Sequence, residues 1–175
     1  MTRLAIRLLG PFEVTLKGKP ITSFETIKAR ALLAYLAAEA GSPHRREALA
    51  EMLWPDRPEG AARANLRHTL RALRLAIGDH QAQPPFLHTT RQAIALNPDA
   101  DCWVDTHDFA RSLAGVERRE GPEAEALEQA LSLYRGAFLE DLSLPDAALF
   151  EEWRILRREQ LQRQVLDLLS RLVAG

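Results

Sequence analysis

The chain has 175 residues, 46% of them hydrophobic and 27% charged. This is the composition of a folded protein of one large or two small domains, not of a disordered one. No run of about 18 apolar residues is present, Arg7 interrupts the N-terminal apolar stretch that a signal peptide would need, and a lone cysteine, Cys102, excludes an internal disulfide; a cytoplasmic protein with no membrane partner is expected. The net charge of −1 conceals an asymmetry: residues 1–100 carry 14 Lys+Arg against 9 Asp+Glu, and residues 101–175 carry 9 against 15. A basic half followed by an acidic half suggests two parts with different partners.

Leu4, Ile6 and Leu8 alternate with Ala5 and Arg7, and after Gly10-Pro11 the residues Phe12, Val14 and Leu16 alternate with polar ones. Period-two runs punctuated by Gly and Pro predict a small antiparallel sheet, with Pro20 at an edge or a strand start. The period then changes. Ile27, Ala29, Leu32, Leu33, Leu36 and Ala40 follow helical spacing, with Ser23 or Thr26 as cap and Gly41 as stop. A second helix is expected over about 45–53, ended by Pro55 and Pro58. His44 stands three residues before Glu47, a capping-box spacing with a poor capping residue. A third helix is expected over about 59–77, closed by Gly78-Asp79. Phe86–Leu96 reads as a hairpin with Thr89-Thr90-Arg91-Gln92 at its tip.

From Asp105 on, the chain reads as all helical. Asp105 or Thr106 caps one helix, Gly121-Pro122 opens another that Gly136 stops, and Pro145-Asp146 opens a long third. The long helix would bury Leu149, Phe150, Trp153, Leu156, Leu161, Val165, Leu168, Leu169 and Leu172. Trp103-Val104 joins the two halves, and Cys102 and Trp153 are read as packing residues. The fold class expected is an α+β winged helix-turn-helix domain over 1–100, followed by an all-α, tetratricopeptide-like domain over 101–175.

The third helix carries the functional signal. On a wheel, Leu70, Leu73 and Ile77 fall within about 40° of Leu66, while Arg63, Arg67, Arg71 and Arg74 lie on one flank at about 60–140°. Ala64, His68 and Leu75 face away from the core. No acid interrupts the sequence between Arg63 and Arg74, although a merely solvated helix mixes signs. Guanidinium groups neutralise phosphates and pair bidentately with guanine, and a small residue such as Ala64 admits the helix to a major groove. Arg63, Ala64, Arg67, His68 and Arg71 are the expected base readers. Arg74 is expected at phosphate, and Asn65, nearer the core, is as well suited to a backbone or phosphate bond as to a base. Arg45, Arg46, Trp54 and the hairpin residues Thr89, Thr90 and Arg91 complete the candidate DNA contacts.

Other chemistry finds little footing. The five histidines lack zinc spacing, and neither a nucleophile elbow nor a Gly-rich phosphate loop occurs. His107-Asp108 near Asp101 and Asp105 is a helix start rather than an acid–base pair. No enzyme, metal or cofactor is expected. The alternative to a DNA-binding regulator is an interaction module whose winged helix and helical half bind partner proteins instead.

Taken together the motifs resemble the SARP family of bacterial transcriptional activators, which join an OmpR-like winged helix to a bacterial transcriptional activator domain. The matching stretches are Leu8-Leu9-Gly10-Pro11-Phe12-Glu13-Val14, residues 28–36, residues 46–56 through Leu53-Trp54-Pro55-Asp56, residues 62–70 with Leu73-Arg74, Trp103-Val104-Asp105, residues 133–139, and Phe150-Glu151-Glu152-Trp153. The resemblance implies that the helix near 61–77 enters the major groove and that the hairpin wing approaches the minor groove. It also implies tandem binding on direct repeats, self-association there, and recruitment of RNA polymerase, with Trp54–Gly60 at the position of a polymerase-touching loop. His44 stands where the family usually has Ser, Cys102 replaces an ordinary apolar residue, and the helical half is shorter than is common. With neither a receiver domain nor a Walker loop, aspartyl phosphorylation and ATP hydrolysis are not expected.

Overall fold

The computed structural model describes residues 3–119 and 121–174. The chain opens with β1 (Leu4–Arg7) and β2 (Glu13–Leu16), an antiparallel pair in the register Leu4↔Leu16 and Ile6↔Val14. Both strands turn their alternating apolar residues to the core, as the period-two pattern requires. The two-residue β3 (Lys19–Pro20) lies at the sheet edge, where a proline costs no ladder bond. Helix α1 (Ile27–Ala38) follows, capped by Thr26 Oγ1, which accepts from the Ala29 amide at 3.2 Å.

A strand the sequence pattern did not reveal comes next. His44–Arg45 form β4, so Arg45 is strand rather than helix. The capping box at His44 does not form: α2 (Arg46–Leu53) has Arg45 at its N-cap with no side-chain cap bond. The His44 ring instead meets the Glu39 carbonyl at 2.8 Å and the edge of Tyr35. Helix α3 (Glu59–Ala76) leads through a 3-10 turn (Asp79–Gln81) to the hairpin of β5 (Leu87–Thr89) and β6 (Ala93–Leu96). β4 pairs with β6, so the wing is a three-stranded sheet in the order β4-β6-β5.

The linker read at Trp103-Val104 is also a strand. β7 (Cys102–Val104) runs parallel to β1 and completes a first sheet ordered β3-β2-β1-β7. Helices α4 (Asp105–Glu117), α5 (Glu123–Leu133) and α6 (Ala148–Ala174) follow, with α4 packed on α5 and α5 on α6. The α4 cap differs from expectation. Val104 is the N-cap, and Asp105 is buried, its carboxylate accepting from the Leu8 amide at 2.9 and 3.0 Å and from the Leu9 amide at 2.9 Å. Burial pushes the Asp105 pKa up, against the Leu9, Leu8 and Thr106 amides and Arg135, which draw it down.

The α5–α6 segment lies against the β1–β2 turn. The amides of Gly10, Leu139 and Glu140 donate to Ala137, Leu8 and Gly10 respectively, at 2.8–3.1 Å. Gly10 sits at φ +106°, and a Cβ there would stand 3.1 Å from Arg135 Cβ; glycine alone permits this approach. α6 begins at Ala148, later than Pro145-Asp146, because the Glu151 carboxylate takes the Leu144 amide and Ser143 hydroxyl ahead of it. Its expected apolar face divides: Phe150, Leu161, Val165 and Leu168 are buried, whereas Leu149, Leu156 and Leu169 are exposed. One hydrophobic core runs from Leu4 through α1–α3 and the wing to Leu168. Among the described residues, no helix is long and apolar enough to cross a membrane.

Candidate nucleic-acid interface

α3 divides as an amphipathic helix should. Ala62, Leu66, Thr69, Leu70 and Leu73 are buried, Ile77 caps the C-terminus inside the core, and Arg63, Arg67, His68, Arg71 and Leu75 are exposed. Ala64 and Asn65 are half-buried at the rim. Three of the four arginines of the row therefore share an open face with His68.

Their partners differ. Arg67 and Arg71 make no hydrogen bond or ion pair among the described residues. Arg63 reaches Glu47 Oε1 at 3.4 Å, and Arg45 reaches Glu47 Oε2 at 3.3 Å, all three side chains being exposed. Such surface pairs contribute roughly 0–1 kcal/mol, so both guanidiniums are exchangeable for another anion. Arg74 is different: its Nε donates at 2.9 Å to Asp79, whose side chain is fully buried.

Arg46, at the start of α2, is half-buried and joins α2 to the wing. Its Nε donates to the Thr90 carbonyl at 3.0 Å and its amide to the Gln92 carbonyl at 2.8 Å. Its pKa is lowered first by burial and then by the charges of Arg67 and Arg74. Like charges held this close form a field that an approaching polyanion relieves.

At the wing tip, Arg91 and Gln92 are exposed. Thr90 is exposed too, but its hydroxyl closes the turn, accepting from the Ala93 and Gln92 amides at 3.0 and 3.3 Å. Thr89 is half-buried within β5, opposite Ile94. Trp54, half-buried at the end of α2, lies under Lys28, whose Nζ stands 5.7 Å from the ring centre, bonds the Leu53 carbonyl, and pairs with Asp146 of the second half at 3.1 Å. The structure thus brings Arg63, Arg67, His68 and Arg71 onto one helix face, with Arg45 and Arg46 beside it, and engages Arg74, Thr90 and Trp54 internally. Sequence reasoning missed Glu47 at the edge of this surface and Asp79 buried beneath it. Gly78, at φ +67°, was the available signal for Asp79, since it turns the chain back beneath α3.

Residues 24–93 match the family described as transcriptional regulatory protein, C terminal. The transcriptional regulatory protein EmbR of Mycobacterium tuberculosis is 34% identical over 147 residues, spanning 80% of this chain and 37% of EmbR. EmbR of Mycobacterium bovis aligns with the same figures. A solved structure of Mycobacterium tuberculosis EmbR in complex with a low-affinity phosphopeptide superposes with a TM-score of 0.77 at 29% identity, covering 98% of this chain and 45% of that one. The chain spans less than half the length of these relatives. It is homologous to EmbR and carries a winged-helix domain of the transcriptional-regulator type, with a mixed α+β N-terminal region and a helical C-terminal part.

Proposed function

We propose that the chain is a cytoplasmic, sequence-specific regulator that binds double-stranded DNA, an activator of the SARP type, with no catalytic role. The observation that carries this is the open face of α3, where Arg67, His68 and Arg71 stand exposed and the two arginines meet no acid among the described residues. In this reading α3 enters the major groove, Arg63, Arg67, His68 and Arg71 read base edges, and Ala64 allows close approach. Arg45 and the wing residues Thr89, Thr90 and Arg91 meet phosphates, with Asn65 at the rim. Trp54–Gly60 faces RNA polymerase, and copies of the chain occupy direct repeats. Residues 1–100 form the DNA-binding part, and residues 101–175 a tetratricopeptide-like bacterial transcriptional activator domain.

Electrophoretic shift with sites selected from a random DNA pool tests the reading. Selected sites should bind with affinity that falls steeply as salt rises, because each neutralised phosphate contributes about −0.9 to the slope of log K against log salt. Failure of the wild-type chain to shift any DNA at low salt overturns it in favour of a protein-interaction module.

A further inference from the structure

Two arginines that the sequence assigns to DNA are held by the protein itself, and one buried carboxylate explains the first. α3 ends at Ala76, Gly78 adopts a left-handed conformation at φ +67°, and Asp79 folds back beneath the helix with its side chain 0% exposed. Oδ1 of Asp79 accepts from the Phe86 amide at 2.8 Å and the Leu87 amide at 3.1 Å, while Oδ2 accepts from Arg74 Nε at 2.9 Å. Leu87 is the first residue of β5. A single carboxylate therefore ligates the end of the reading helix and the root of the wing.

Resting on the DNA-binding reading above, we infer that Asp79 is the positioning residue that fixes the wing against α3, and that Arg74 serves Asp79 rather than a phosphate. The chemistry is selective. Three donors converge on the site, and only an ionised carboxylate offers acceptors to all of them without adding a donor. An asparagine retains one oxygen for the amides but turns an NH2 toward the Arg74 guanidinium. The geometry has leverage as well. At about 3.3 Å per residue the tip at Thr90 lies roughly 10 Å beyond Leu87, so a tilt of about 10° at the root moves the tip by nearly 2 Å, well beyond the ~0.5 Å tolerance of a preorganised site. The tip is tied from the other side by Arg46 Nε on the Thr90 carbonyl. Helix and wing are thus set as one rigid gauge before any DNA arrives.

The test compares Arg74→Ala, Asp79→Asn and their double variant in the full chain, with Arg91→Ala as the phosphate-contact control. Arg74→Ala and Asp79→Asn should each weaken a selected site on the order of tenfold, leave the salt slope unchanged, and combine without adding, because both break the same contact. Arg91→Ala should lower the slope by about 0.9. In the free protein, both variants should speed hydrogen exchange of the Phe86 and Leu87 amides. A slope lowered by Arg74→Ala as by Arg91→Ala, with additive losses, overturns the inference; so does unchanged exchange at Phe86 and Leu87. The exchange measurement needs no DNA, so loss of the regulator reading and loss of the positioning role are read separately. Arg74, 29% exposed, provides a variant expected to fold should Asp79→Asn prove too damaging, with circular dichroism as the check.

Discussion

The open face of α3 and the joint between the two halves are both rich in arginine, and they differ in what stands opposite the guanidiniums. Across the joint, Arg157 grips Glu39 at 2.7 and 2.8 Å and Arg135 donates to the Pro11 carbonyl at 2.9 Å, while behind it, within the second half, Arg154 holds Glu151 at 2.9 Å and Arg158 donates to the Phe138 and Leu139 carbonyls at 3.1 Å. On α3, Arg67 and Arg71 have no such partner among the described residues, and Arg63 has only the exposed Glu47. Arginine count alone does not mark a nucleic-acid surface. At the joint the planar fork serves as an internal cross-link for carboxylates and chain carbonyls; at Arg67 and Arg71 the same group is held out to solvent with its donors available.

The largest expected effect lies at the joint. Asp105→Ala should destabilise the chain by about 3 kcal/mol in urea unfolding, because it strands the buried Leu8 and Leu9 amides, each unsatisfied group costing roughly 1–3 kcal/mol. A loss below about 0.5 kcal/mol, the range of ordinary surface changes, would mean that the joint is not held as described.

The two regions should then separate by readout. Arg67→Ala and Arg71→Ala should each cost about 1–3 kcal/mol of binding to a selected site, roughly ten- to a hundredfold, with stability unchanged within about 0.5 kcal/mol. Arg157→Ala should do the reverse, lowering the melting temperature by leaving Glu39 short of a partner while sparing DNA affinity. Arg111, exposed and among the described residues paired only with Asp108 three residues before it, should move neither readout when changed to Ala. Equal losses of affinity from Arg67, Arg157 and Arg111 would erase the distinction.

What was legible in the sequence follows from how local its causes are. The α3 stripe of Leu66, Leu70, Leu73 and Ile77 is buried as its period required, and Arg63, Arg67 and Arg71 emerge on the open flank. Thr26 caps α1 as its position suggested. β4 was not legible, because a two-residue strand carries no period and exists through its pairing with β6. β7 was missed for a related reason: its partner β1 lies nearly a hundred residues earlier. Asp105 looked like a helix cap because Asp commonly is one, yet its hydrogen bonds run to Leu8 and Leu9, and no local pattern encodes that. Arg74 kept its place in the row but not its freedom, since the acid that engages it lies beyond the helix end at Asp79.

Acidification sharpens the contrast further. At Glu39, burial favours the neutral form, but the Trp153 and Arg157 hydrogen bonds outweigh it and hold the pKa below the ordinary 4.5; at Glu151 the Arg154 hydrogen bond is the leading cause in the same direction. A depressed carboxylate pKa means that the unfolded chain binds more protons than the native one. The stabilisation is therefore present above pH 4.5 and is lost as pH falls through the lower native value. Wild type should outlast Glu39→Gln on heating at neutral pH, with the gap closing below pH 4.5. A gap independent of pH would show that Glu39 acts through packing rather than charge.

The smallest effect expected is a gain. Glu47 is the acid that both Arg45 and Arg63 touch at the edge of the proposed interface, and its carboxylate is half exposed. Glu47→Gln should leave stability nearly unchanged, since exposed pairs contribute roughly 0–1 kcal/mol, and should tighten DNA binding about two- to threefold at low salt by releasing two guanidiniums and removing a like charge from the path of the phosphates. The gain should fade as salt rises, because the screening length falls from about 10 Å at 0.1 M to about 3 Å at 1 M. Weaker binding by Glu47→Gln would carry the opposite lesson. It would place Glu47 beside Asp79 as an acid that aims an arginine, so that Arg63, like Arg74, depends on a carboxylate of its own chain for its position.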